Sequence, residues 1–287
     1  MSRWWGAEPA LTIEGDGLTA VVVASRGGKI VSLVDANRRE WLAQADTPIG
    51  EPARPGARFT DAEMAGWDEC APSIDPATVN GREIPDHGDL WTSAWRDVGC
   101  GRLRAEGPSL GYSFERSIRS TAGGLRVDYR AEALADDVPF LWAAHPQFRA
   151  PAGTVVRVPG VDTVLNVLHD PTERMPWSPE LATIDTVSPG GTRKLYADPS
   201  ASAHEAALVR PDAGELRMSW TATCPYLGLW FDNRGFSREP VIAIEPSTGY
   251  YDSIERAVAS GHVAVLAVGK PLEWSVELVV DPTRRTT

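Results

Sequence analysis

The chain has 287 residues, 43% of them hydrophobic, with a formal net charge of −11 and 11 tryptophans. That apolar content supports a sizeable core and argues against global disorder; no run of eighteen apolar residues argues for a membrane-spanning helix. An acidic chain with no dense basic cluster is a poor partner for nucleic acid or an anionic membrane surface, because phosphate binding needs a positive footprint.

The first fifteen residues, MSRWWGAEPALTIEG, hold neither an apolar h-region nor a small-residue cleavage site, so no signal peptide is expected and the protein reads as cytoplasmic. GLTAVVVAS (17–25) and KIVSLVD (29–35) flank Gly27 and Gly28 and predict a β-hairpin. The Pro- and Gly-rich stretch 47–57 reads as a loop, and TDAEMAG (60–66) has helical periodicity. GREIPDHGDLWTSAW (81–95) has neither strand nor helix pattern. LRVDYRAEAL (125–134) alternates cleanly, with Leu125, Val127, Tyr129 and Ala131 on one face. PFLWAAHPQFRAPAG (139–153) reads as an apolar strand ending on His145. Further strands are predicted at TVVRVPG (154–160), ELRMSW (215–220), YLGLWFD (226–232), PVIAIEP (240–246), HVAVLAVG (262–269) and EWSVELVV (273–280). DSIERAVA (252–259) predicts a helix with Asp252 as N-cap. Many short strands separated by turns, with no repeat and no linker, give one all-β domain over residues 1–287, a β-sandwich or barrel.

Three polar residues interrupt this pattern. His87 lies in the aromatic loop, His145 ends an apolar strand, and Glu245 follows Val-Ile-Ala-Ile, where a carboxylate is costly to bury without a partner. Taken singly, each histidine also fits a structural role bonded to backbone. His169, His204 and His262 lack such context and read as structural, and Cys70, Cys100 and Cys224 read as reduced thiols. The tryptophans serve packing and also suit stacking on the apolar faces of sugars.

The ordered set DHGDLW, AAHPQF and AIEPSTGYYDS, together with GGKIVSLVDANRREWLA (27–43), resembles the aldose 1-epimerases, the galactose mutarotase-like family. The resemblance spans roughly residues 10 to 280 and implies a β-supersandwich with few short helices. It implies Glu245 as base, His145 as acid to the ring oxygen and His87 as a second histidine near that oxygen, interconverting the α and β anomers of a hexose or related sugar. Trp67, Asp68, Trp91, Trp230, Asp232 and Asn233 are the candidate sugar contacts, each with a packing or turn role as its alternative. The family's arginine-bearing segment falls at AGWDECAPSIDP (65–76), which has no arginine; Arg58 is the nearest substitute.

Glutamate is ionised at neutral pH and histidine can hold a proton there, so this chemistry needs no metal, nucleotide or other cofactor. A hexose-phosphate epimerase would want converging arginines, for which Arg58, Arg96 and Arg149 are available. The rivals are a glycoside hydrolase pairing Glu245 with Asp86 or Asp89, a metal site built from His87, Asp89, His145 and Glu245, and a non-catalytic carbohydrate-binding sandwich.

Overall fold

The computed structural model describes residues 4–281 except 47, 49 and 169. Its larger sheet is built from β1 (Leu11–Glu14), β2 (Leu18–Val23), β3 (Lys29–Asp35), β4 (Trp67–Cys70), β5 (Ala143–Pro146), β6 (Thr163–Asn166), β7 (Asp170–Pro176), β8 (Thr192–Ala197), β9 (Tyr226–Asp232) and β10 (Val241–Ser247). Their spatial order is β1-β2-β3-β4-β5-β10-β9-β8-β6-β7, and the short strand Phe148–Arg149 also pairs with β10. The second sheet runs Val155–Arg157, Glu205–Arg210, Gly214–Trp220, Leu272–Asp281, Gly124–Ala133, Tyr112–Thr121, Arg102–Gly107, Arg96–Gly99. The pairing within both is antiparallel, and the architecture is the expected β-sandwich.

The alternation predicted for 125–134 is the one that builds the core. Leu125, Val127, Tyr129 and Ala131 are buried between the sheets, while Arg130 on the other face is exposed. Tyr129 stacks on Trp274 at 5.3 Å and meets Trp142 at 4.7 Å. One ion pair crosses this apolar layer: Glu69 of β4 accepts from Arg116 at 2.8 Å, Tyr129 at 3.0 Å and the indole of Trp142 at 2.9 Å. Burial raises the Glu69 pKa in spite of Arg116.

Several predicted elements change form. Residues 60–66 give only a 3-10 turn, Phe59–Asp61, because Gly66 turns with φ 93° and Trp67 already belongs to the sheet. The single strand expected from 139 to His145 is divided into Val138–Phe140, which pairs with Ala264–Leu266, and β5, with the short strand Phe148–Arg149 following. The late helix exists as α1 (Ile254–Ser260), but Ser253 caps it by accepting from the Arg256 N–H, and Asp252 is used elsewhere. Among the described residues no helix is long and apolar enough to cross a membrane.

Candidate functional site

Strands β4, β5, β10, β9 and β8 lie side by side, and their register selects which side chains share a face. Asp68 stands opposite His145, Ala143 opposite Ser247, Glu245 opposite Gly228, and Trp230 opposite both Ala243 and Lys194. Opposed residues project to the same side of a sheet. Glu69 points to the second sheet, so its neighbour Asp68 points away from it, and with it His145, Glu245, Trp230 and Lys194.

Glu245 is the centre of that face, with 1% of its surface exposed. Its Oε1 lies 3.1 Å from His145 Nδ1, and its Oε2 accepts from the ammonium of Lys194. Lys194 also reaches Asp252 Oδ1 at 3.3 Å, and the same oxygen accepts from the Tyr196 hydroxyl at 2.6 Å. Burial alone would raise the Glu245 pKa. Lys194 and then His145 outweigh it, and the carboxyl falls from 4.5 to about 2. Against its own burial, Lys194 is in turn held above its ordinary value by Asp252 and Glu245. Gly228 makes room for this cluster: a Cβ there would sit 3.0 Å from Glu245 Oε2 and 3.2 Å from the Tyr196 ring.

The second nitrogen of His145, Nε2, lies 3.1 Å from the Gln147 amide nitrogen. That amide donates to a bare Nε2; turned over, it would accept from Nε2–H through Oε1. One neighbour can therefore hold the ring either neutral or cationic.

His87 enters from the loop above. The Gly88 N–H bonds to Pro85 O at 2.9 Å, closing a turn in which His87 takes the left-handed conformation, φ 57°. Such a conformation costs a non-glycine residue about 1–3 kcal/mol and persists where the surroundings over-determine it. Here His87 N–H bonds to Ile74 O and Asp89 N–H to Ala71 O, each at 2.7 Å. The Asp86 carboxylate lies 2.7 Å from His87 Nδ1 and accepts from the Phe59 N–H, which puts the ring proton on Nδ1 and leaves Nε2 for a ligand. Burial pushes the His87 pKa down, outweighing Asp86. The two histidine rings are 5.6 Å apart.

Phe59 covers them. Its ring stacks on His87 at 4.0 Å and 6°, meets His145 edge-on at 5.3 Å, and packs with Met64 and Trp91. Clefts of about 260 Å³, beside Lys29, Arg58 and Trp91, and about 180 Å³, beside Met64, Gln147 and Phe236, flank this cover, and Ala62 and Glu63 line both.

Of the candidate contacts, Asp68 and Trp230 lie on the site face. Among the described residues, Asp68 Oδ1, Gln147 Oε1 and Trp230 Nε1 are buried polar atoms without a partner, while the other Asp68 oxygen takes Lys29 at 2.6 Å. Native interiors rarely leave such atoms unpaired without a reason. The other four expected contacts have structural duties. Trp67 is fully buried on the inter-sheet side against Phe148. Asp232 binds the backbone N–H groups of Gly235, Phe236 and Ser237, and Asn233 donates to Val187 O. Trp91 is only 6% exposed and supports the Phe59 cover, donating its indole N–H to Asp86 O. Asp89 turns to the Ser109 hydroxyl at 2.6 Å, away from a shared ligand set with the histidines. His169 lies outside the described residues.

Lys194, Gln147, Asp252 and Phe59 are site residues that sequence reasoning missed. Gln147, two residues from His145, had a usable signal in the strand period. Lys194 had none, since lysine on the outer face of a strand is commonplace.

No protein-family model matches the chain, and no curated protein does so significantly. Solved structures do match. The Slr1438 protein of Synechocystis superposes with a TM-score of 0.75 at 16% identity, covering 98% of this chain and 99% of that one. A galactose mutarotase-like protein of Lactobacillus casei gives 0.69 at 18% identity over 95% and 100%. One of Clostridium acetobutylicum gives 0.70 at 14% identity over 98% and 97%. Likeness at this identity is one of architecture: the chain has the fold of the galactose mutarotase-like proteins.

Proposed function

We propose that the protein is an aldose 1-epimerase acting on a hexose or related sugar, with Glu245 as base and His145 as acid. The observation that carries this reading is a buried carboxylate shared with one histidine, beside a second histidine and three buried polar atoms without protein partners. Sugar hydroxyls supply the partners that Asp68 Oδ1 and Trp230 Nε1 lack. The names of the similar folds point the same way.

Glu245 takes the C1 hydroxyl proton while His145 gives a proton to the ring oxygen, and the open aldehyde rotates about C1–C2 before the reverse transfer. His87, neutral because burial lowers its pKa, accepts a hydrogen bond from a sugar hydroxyl at Nε2. Phe59 stacks directly on His87, so a sugar that meets this face of the imidazole displaces the Phe59 ring. Positioned acid–base groups of this kind are worth roughly 10²–10⁴-fold each.

Polarimetry on freshly dissolved single-anomer aldoses tests the proposal. At least one sugar of a broad panel equilibrates faster with protein, and His145→Gln slows it by about 10²-fold or more. Equal rates with and without protein across the panel, with binding retained, would leave a carbohydrate-binding sandwich.

A further inference from the structure

We propose that Lys194 is a further catalytic residue of this reaction: its ammonium, fixed between Glu245 and Asp252, gives its remaining N–H to the anomeric oxygen of the sugar and stabilises the negative charge that forms there as Glu245 takes the proton. This rests on the epimerase reading of the same site.

The geometry leaves little alternative for that proton. An ammonium has three N–H donors, and among the described residues those of Lys194 meet Glu245 Oε2 and Asp252 Oδ1 only. The side chain is 6% exposed, so bulk water does not satisfy the third. Glu245 Oε1 is taken by His145, which leaves the Oε2 side for the C1 hydroxyl. A hydroxyl donating to Oε2 lies next to the ammonium that already holds that oxygen. Lys194 is also held against movement: the Tyr196 ring lies 5.4 Å from Nζ, and the Tyr196 hydroxyl fixes Asp252.

The need is chemical. A carboxylate bound by a cation and an imidazole is a weak base towards an anomeric hydroxyl. A preorganised cation at the oxygen that becomes negative offsets this by favouring the ionised hydroxyl in the transition state. The C1 O–H bond breaks with its proton going to Glu245, and the pair left on oxygen forms the C1=O bond. The bond from C1 to the ring oxygen breaks, its pair stays on that oxygen, and the ring oxygen takes the proton of the His145 imidazolium. Lys194 loses no proton.

The test compares wild type with Lys194→Met on the best sugar of the panel and on its 1-deoxy analogue, which lacks the anomeric hydroxyl. Loss of one such donor lowers kcat by about 10²–10³-fold, while the inhibition constant of the 1-deoxy analogue stays within about threefold. Should Lys194→Met not fold by near-ultraviolet circular dichroism, Lys194→Gln keeps a donor on Glu245 without the charge and is read in the same way. A kcat within threefold of wild type, or equal losses for sugar and 1-deoxy analogue, overturns the role of Lys194 and leaves the epimerase reading standing. A wild-type protein that accelerates no sugar overturns both.

Discussion

Glu245 and His87 solve opposite electrostatic problems with neighbouring residues. Glu245 is kept ionised in a dry site by Lys194 and His145, whereas His87 is kept neutral by burial under Phe59 despite its contact with Asp86. Truncating the cover should therefore raise the His87 pKa. In Phe59→Ala, water returns to the imidazole and its titration, followed by proton NMR, moves up towards 6.5; an unchanged midpoint would show that the Phe59 ring does not set it. Glu245 was legible in the sequence because a carboxylate after four apolar strand residues is expensive without partners. Its partner Lys194 was not, because nothing in TRKLYA separates a functional lysine from a solvated one. Asp252 was hidden by a stronger local pattern: it precedes a helix, so it reads as a cap, while Ser253 takes that duty.

At the scale of elements, the site depends on a turn and on a register. Residues 85–88 present His87 only because Gly88, with φ 76°, lets the loop press on Ala71, the residue after β4: an added Cβ would lie 1.9 Å from Ala71 O. Gly88→Ala is expected to destabilise the protein by at least about 1–3 kcal/mol, the range for an unfavourable left-handed residue, and to lower activity by moving His87. Thermal unfolding and anomer exchange measure the two effects. Gly228→Ala should act more locally, since its Cβ meets Glu245 and Tyr196 and not backbone. Activity should fall with a smaller loss of stability. Alternation along 125–134 foretold a core strand, since the period of two is a direct record of burial. The break between Phe140 and Ala143 left no such trace: it follows from pairing of 138–140 with 264–266, a segment more than a hundred residues away.

At the scale of the whole molecule, the buried pairs Glu69–Arg116 and Glu245–Lys194 stand on opposite faces of the same sheet. Glu69–Arg116 ties the sheets together, and Glu245–Lys194 forms the floor of the site. Removing one partner of a buried pair typically costs about 3–5 kcal/mol, so Arg116→Met should lose that much in denaturant unfolding without altering which sugar is used. The site pair also sets an acid limit. The folded Glu245 carboxyl titrates at about 2 against an ordinary 4.5, so its contribution to stability is fully present above about 5 and is lost as pH falls from 4.5 towards 2. Glu245→Gln should flatten that part of the stability–pH curve. Strand count and turn spacing made an all-β sandwich or barrel legible, and the family resemblance implied the sandwich. The apolar cover over the histidines was not legible, because Phe59 precedes the helical periodicity of 60–66 and meets residues 86–91 only in the folded chain.

Anomer exchange of one responsive aldose, followed by saturation-transfer NMR with wild type and Glu245→Gln at equal concentration, bears most directly on the assignment. The expected result is rapid exchange between the α and β resonances with wild type and a loss of about 10²–10⁴-fold in the variant. Equal exchange rates in the two proteins, or none above the buffer rate with wild type, would contradict a catalytic Glu245.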